Sequence, residues 1–257
     1  MPRKRERFER SDVPRDNPHR NLIALAVLLV IAAAGFTLVD TLWSRVKVES
    51  HMDDPDIAEA IGKQDGPTAL EGDFYYTDND IEKILFLHVD DAGADRPQLV
   101  GAQLLLIDEA GGTAHLVDVP ITVRVSAEGS VYAFAEYFNS YGFEAAIPLI
   151  TASFNLYANH VIMGTESPWP PIIGLAGTNP FDVVGTNSEF VENIRTDMGG
   201  GELVEHGALF QTLGVGSLEV EECPVAGEEA NEDGEVTQVS VDLVPFGLQT
   251  GILIANE

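Results

Sequence analysis

KILFLHVDDAG (Lys83–Gly93) decides how the chain is read: a short, largely apolar run turns abruptly into two aspartates, an alanine and a glycine. A run of that length suits a strand buried on both faces of a sheet, because a strand with one wet face would alternate. AQLLLID (Ala102–Asp108) is a second such run, EAGG (Glu109–Gly112) a turn, and AHLVDV (Ala114–Val119) a third strand. Pro120 then interrupts the pattern before a further extended piece that ends at Val125. In SVYAFAEYFNSYGFEAA (Ser130–Ala146), Phe134, Tyr137, Phe138 and Tyr141 recur at three and four residues, which predicts one helix. A second helix is expected from near Pro148 to about Asn159, and an extended segment over His160–Met163. SPWPP (Ser167–Pro171) reads as a loop, since its prolines disfavour both regular structures. A helix over Gly201–Leu213 and a last strand over Val236–Val244 complete the pattern. Interleaved strands and helices predict an α/β fold with a mixed central sheet flanked by helices.

Charge is distributed unevenly around this core. Seven of the 14 Lys and Arg residues lie in the first twenty positions, beside four acids. From Val48 onward five basic residues (Lys63, Lys83, Arg96, Arg124 and Arg195) face 37 acidic ones, a net charge of −32. Such a body offers no basic patch to nucleic acid and repels bare phosphates unless a divalent cation intervenes. Between the basic start and the acidic body, Leu22–Val39 holds no charge in 18 residues, close to the roughly 20 that span a bilayer. Trp43 is placed as an interfacial anchor, and the preceding Arg and Lys put the N-terminus in the cytoplasm. The expected organisation is a basic cytoplasmic tail (1–21), one transmembrane helix (22–42), a linker (43–80) rich in Asp, Gly and Pro with a short helix near Ile57–Ile61, and an extracytoplasmic domain (81–257). A cleaved signal peptide, with Ala32–Ala34 as the processing site, is the alternative.

Several chemistries are excluded by motif. The sequence has no G-x-S-x-G, no phosphate-loop lysine motif and no H-E-x-x-H. Its six histidines include no pair at helical ligand spacing, and Cys223, the only cysteine, forms neither an intrachain disulfide nor a thiolate metal site. The acidic run Gly227–Glu235 reads as a solvated loop. Asp90 and Asp91 remain. Carboxylates at the end of a buried strand stand where open α/β sheets keep ligand crevices, and two together supply the oxygen ligands that Mg²⁺ prefers. The competing reading is an Asp-rich turn bonded to its own backbone.

In their order these segments resemble the LytR-CpsA-Psr family, which transfers glycopolymers from a polyprenyl-pyrophosphate carrier to peptidoglycan outside the membrane. KILFLHVDD is similar to the family's opening strand, with Asp90 at its terminal Asp; AQLLLID and HLVDVPITV are similar to the next two strands. VYAFAEYFNSYG resembles the family's aromatic helix, FNLYANHVIMG a later strand, and NIRTDMGGGELVEHGALFQTLG its late helix. The departures concern arginines. Ala92, Val100 and Ile121 stand where the family has Arg, and Ala102 and Thr122 where it has Asp. Guanidinium forks bind pyrophosphate oxygens bidentately and offset the charge of a phosphoryl-transfer transition state, so their loss implies lost catalysis. Arg96 and Arg124 are the remaining candidates for substrate binding, Arg96 the better, since strand alternation puts Arg124 on the face opposite Val123 and Val125.

The resemblance therefore implies a single-pass, extracytoplasmic envelope protein that binds polyprenyl-linked polymer or peptidoglycan without catalytic residues. Two readings stand against it. One is an active phosphotransferase with Mg²⁺ at Asp90 and Asp91 and with Arg96 and Arg124 on the anion. The other is an unrelated secreted structural protein.

Overall fold

A computed structural model describes residues 25–35, 37, 51–70 and 72–255. The chain divides into two units, residues 1–45 and 46–257. In the first, residues 25–35 and 37 are helical and exposed. The rest of the expected span 22–42, the tail 1–21 and Trp43 lie outside the described residues. Among the described residues no helix is long and apolar enough to cross a membrane.

The second unit carries the fold. A short helix, α1 (Pro55–Gly62), and a strand, β1 (Phe74–Tyr76), precede the long pair β2 (Ile81–Val89) and β3 (Leu99–Asp108). Then follow β4 (Thr113–Asp118), the small hairpin β5 (Arg124–Ala127) and β6 (Ser130–Ala133), and two helices, α2 (Phe134–Tyr141) and α3 (Phe143–Ser153). After β7 (His160–Gly164), α4 (Trp169–Ile173) and β8 (Ile194–Thr196) comes the long helix α5 (Gly200–Leu213). The chain closes with β9 (Val220–Glu222), a second hairpin of β10 (Val225–Ala230) and β11 (Val236–Val241), helix α6 (Leu243–Gln249) and β12 (Leu253–Ala255).

Six strands form one sheet in the order β8-β7-β2-β3-β4-β9. β2 pairs antiparallel with β3 and parallel with β7, so the sheet is mixed. Its centre is apolar on both faces, which explains the unbroken run in β2. Leu85 and Leu87 turn to one side, with Leu104 and Leu106, and meet Phe134, Phe138, Ile147 and Ile150 of α2 and α3. Ile84 and Phe86 turn to the other, with Leu105 and Ile107, and meet Trp169, Ile172, Leu203 and Phe210 of α4 and α5. Full burial of each such side chain contributes about 1.5–3 kcal/mol, so the central strands dominate the core.

Four expectations need correction. The helix predicted over Ser130–Ala146 is a strand followed by two helices, because Gly142 (φ 88°) takes a conformation that ends α2 and begins α3. Pro148 consequently lies inside α3 instead of opening a helix. SPWPP is a loop only as far as Pro168: Trp169 opens α4, and Pro170 and Pro171 sit in its first turn, where no backbone donor is needed. The final strand stops at Val241, and Leu243 onward is helical.

The stretch expected as a linker also takes part in the domain. Ile57, Ala60 and Ile61 of α1 are buried in the α2–α3 side of the core, and β1 pairs antiparallel with β12. Asp54 caps α1 by accepting from the Asp56 amide at 2.8 Å, and its other carboxylate oxygen takes Arg195 of β8. The Arg195 guanidinium also lies 4.5 Å over the Phe143 ring, so one side chain links α1, β8 and α3.

Candidate functional site

The loop leaving β2 is shaped by the two aspartates. Asp90 Oδ1 accepts from the Gln98 amide at 2.7 Å, and the Asp90 amide donates back to the Gln98 carbonyl at 3.1 Å. Asp91 Oδ1 accepts from the Gly93 amide at 3.0 Å. Each residue therefore commits one carboxylate oxygen to the 90–98 loop, as turn-forming aspartates do. Both side chains are exposed.

Arg96 lies on the same loop and opens onto a cleft of about 450 Å³ lined also by Lys63, Asp95, Tyr141, Phe143 and Glu144. The cleft exists because Gly142 breaks the helical run there and splays Tyr141 from Phe143. Lys63 is already paired with Glu59 at 2.7 Å, so Arg96 is the cation the cleft offers a ligand. Beside it Tyr141 stacks on Tyr137 with ring centroids 4.5 Å apart, and Tyr132 lies 5.3 Å from Tyr137. Tyr141 is 58% exposed and presents an aromatic wall to solvent.

The structure thus brings Asp90, Asp91 and Arg96 onto one loop and gives Arg124 other neighbours. Arg124 Nη2 lies 2.7 Å from Glu229 Oε1, and Nη1 donates to Ser240 Oγ at 3.3 Å, which ties β5 to the β10–β11 hairpin. It shares none of the residues that line the Arg96 cleft. Ile121 and Thr122 lie in a turn closed by the Val123 amide donating to the Pro120 carbonyl at 3.0 Å, so Arg124 begins its strand after that turn.

The other positions where the family has charged residues are apolar in effect. Ala92 and Ala102 are both buried in the core, and Val100 is an exposed aliphatic side chain. Between the sheet and α3 lies a small opening of about 10 Å³, lined by Leu85, Leu104, Val119, Ile150, Thr151, Phe154 and Leu156. That is room for about one water molecule.

The segments that carry the LytR-CpsA-Psr resemblance occupy β2, β3, β4, α2, β7 and α5 of this one unit, so their order in the chain is an order of packed elements. The class that the fold defines is a mixed-sheet α/β domain with helices on both faces. Solved structures similar to it include Bacillus subtilis TagV, at 10% identity and a TM-score of 0.46, over 67% of this chain and 95% of that one. TagT bound to LI-WTA is similar at 9% identity and a TM-score of 0.47, over 73% and 97%. B. subtilis TagU is similar at 6% identity and a TM-score of 0.43, over 67% and 94%. No family model and no curated protein matches the chain.

Proposed function

We propose that this is a membrane-anchored cell-envelope protein whose LytR-CpsA-Psr-like domain binds envelope glycopolymer as an accessory and does not transfer it. In this reading residues 1–21 are cytoplasmic, 22–42 span the membrane, and the domain lies outside. The single observation that carries it is the cation content of the Arg96 cleft. Arg96 stands there with Lys63, which is held by Glu59, and with the acids Asp95 and Glu144. Stabilising a transferring phosphoryl group takes several preorganised cations. One guanidinium suffices to hold a single phosphate or acidic sugar, and the exposed Tyr141 ring next to it offers a flat apolar face to a sugar.

The ligand this favours is the polymer's repeat unit, since the Arg96 cleft sets one guanidinium beside an exposed tyrosine ring. Mg²⁺ at Asp90 and Asp91, with turnover, belongs to the competing phosphotransferase reading.

The test uses the 46–257 unit, which contains both halves of the core. It is titrated by calorimetry with lipid-free envelope glycopolymer and, separately, with a short-chain polyprenyl pyrophosphate, with and without Mg²⁺, while phosphate release is followed. Polymer binding without turnover, weakened by Arg96→Ala, is expected. Mg²⁺-dependent turnover abolished by Asp90→Ala would overturn the accessory reading in favour of the enzyme.

A further inference from the structure

At the end of β2 opposite the Asp90 loop, three side chains from three elements converge. Glu82 is the second residue of β2, His160 the first of the neighbouring parallel strand β7, and His206 projects from α5. Their ligand atoms all lie within 4.8 Å of one another, the one such group of His and carboxylate side chains among the described residues. Glu82 Oε1 is 2.7 Å from His206 Nε2 and 3.7 Å from His160 Nε2. The two imidazoles stand nearly perpendicular, with centroids 5.3 Å apart.

Each ring is oriented from its far nitrogen. His206 Nδ1 lies 2.7 Å from the Glu202 carbonyl, which can only accept, so Nδ1 carries a proton and Nε2 is bare in the neutral ring. His160 Nδ1 lies 2.7 Å from Asp197 Oδ2, and the other Asp197 oxygen accepts from the Val161 amide at 2.8 Å. A carboxylate or backbone carbonyl behind each imidazole is the outer shell that fixes the tautomer of a metal-ligating histidine. Both Nε2 atoms thus face one carboxylate oxygen: a proton on His206 Nε2 satisfies the nearer pair alone, whereas a divalent cation between them would engage all three atoms at once.

We propose that Glu82, His160 and His206 bind one divalent transition-metal ion of the zinc class through two Nε2 atoms and one carboxylate oxygen, with a further position open to water. Imidazole ligands select such ions over Mg²⁺. Two His and one Glu form a set that zinc accepts with an open position. Ligands about 2.1 Å from a tetrahedral zinc sit about 3.4 Å apart, between the two separations found here, so small side-chain rotations seat the ion. A simple ion pair accounts for one imidazole on Glu82. It does not account for a second imidazole aimed at the same oxygen with its own buttressing carboxylate. Access is provided by a cavity of about 190 Å³ that Glu82 lines together with Asp80, Glu109 and Asn159, an acidic mouth that attracts cations. This site shares no residue with the Arg96 cleft and does not depend on the function proposed for it.

The test uses the untagged full chain in detergent, stripped of metal with a chelator. Zn²⁺ alone is titrated by calorimetry against a competing chelator, and Co²⁺ is added separately as a visible-absorbance probe. One Zn²⁺ per chain is expected, with a Co²⁺ spectrum of a four- or five-coordinate nitrogen and oxygen site. His160→Ala and His206→Ala should each lower affinity at least about 100-fold, and Asp197→Asn, acting through His160, about 10- to 100-fold. His115→Ala removes a comparable pair, His115 with Glu221 at 2.8 Å, and should leave binding unchanged. Failure of the folded chain to bind Zn²⁺, or binding that survives His160→Ala/His206→Ala, would overturn the proposal. An octahedral Co²⁺ spectrum in the unaltered chain would do so without any variant.

Discussion

Arg96 and Arg124 are the same residue type in two roles, and their surroundings separate them. Arg96 is exposed on a cleft wall, whereas Arg124 spends both terminal nitrogens on the β10–β11 hairpin. A charge-assisted bond to a ligand contributes about 1.5–3 kcal/mol, so Arg96→Ala should weaken polymer binding roughly 10- to 100-fold in calorimetry. Arg124→Ala should leave that affinity unchanged. Its partner Glu229 is largely exposed and the pair is screened by solvent, so the stability lost in a denaturant melt should be below about 1 kcal/mol. Cys223 makes a third case. Burial, and then the nearby Asp118 charge, push its thiol up to about 12 from an ordinary 9.0. The folded state therefore holds the proton more tightly than the unfolded one. That contribution to stability is complete below about pH 9 and is lost as pH rises toward 12. Alkylation at pH 8 should be negligible in the native protein and rapid once denaturant is added.

Among the elements, those defined by local pattern were legible and those defined by distant partners were not. β2 and β3 stand where their apolar runs put them, because both faces of the sheet are covered and no alternation is needed. The break at Gly142 was hidden, since the aromatic spacing of three and four residues runs up to Tyr141 and apolar residues resume at Phe143, whether or not the backbone turns between them. α1 was visible only as a short helix. Its docking depends on Arg195 and the β8 edge, far along the chain. The Asp90–Asp91 loop could be read from its composition, but Glu82, His160 and His206 come together only through the pairing of β2 with β7 and the packing of α5. Two variants test the docking of elements. A Cβ on Gly207 of α5 would collide with the Ile172 carbonyl of α4, so Gly207→Ala should cost about 1–3 kcal/mol in chemical denaturation. Asp54→Ala removes the α1 cap and the more buried of the two carboxylates on Arg195, leaving it Asp56 at 3.1 Å, and should cost about 1–3 kcal/mol.

For the whole molecule, the question is where the folded unit begins and what opposes its folding. The three buried residues of α1 and the β1–β12 pairing bind the stretch before Ile81 into the same core as the central sheet. A chain cut to begin at residue 81 would lose both and expose the apolar surface of α3 that α1 covers. It should melt at least about 10 °C lower than residues 46–257, or fail to fold, when followed by circular dichroism. Self-repulsion acts across the entire body. Acids outnumber bases 37 to five from Val48 onward, and added salt screens them over about 10 Å at 0.1 M and about 3 Å at 1 M. Because unfolding spreads these charges apart, screening favours the compact state, and the melting temperature of residues 46–257 should climb steadily with sodium chloride. A flat or falling curve would mean that exposed ion pairs such as Lys63–Glu59, which salt weakens, outweigh the repulsion. Zinc gives the decisive contrast. A bound divalent cation at Glu82, His160 and His206 should raise the melting temperature at micromolar concentration, far below the range in which general screening acts, and only while both histidines are present.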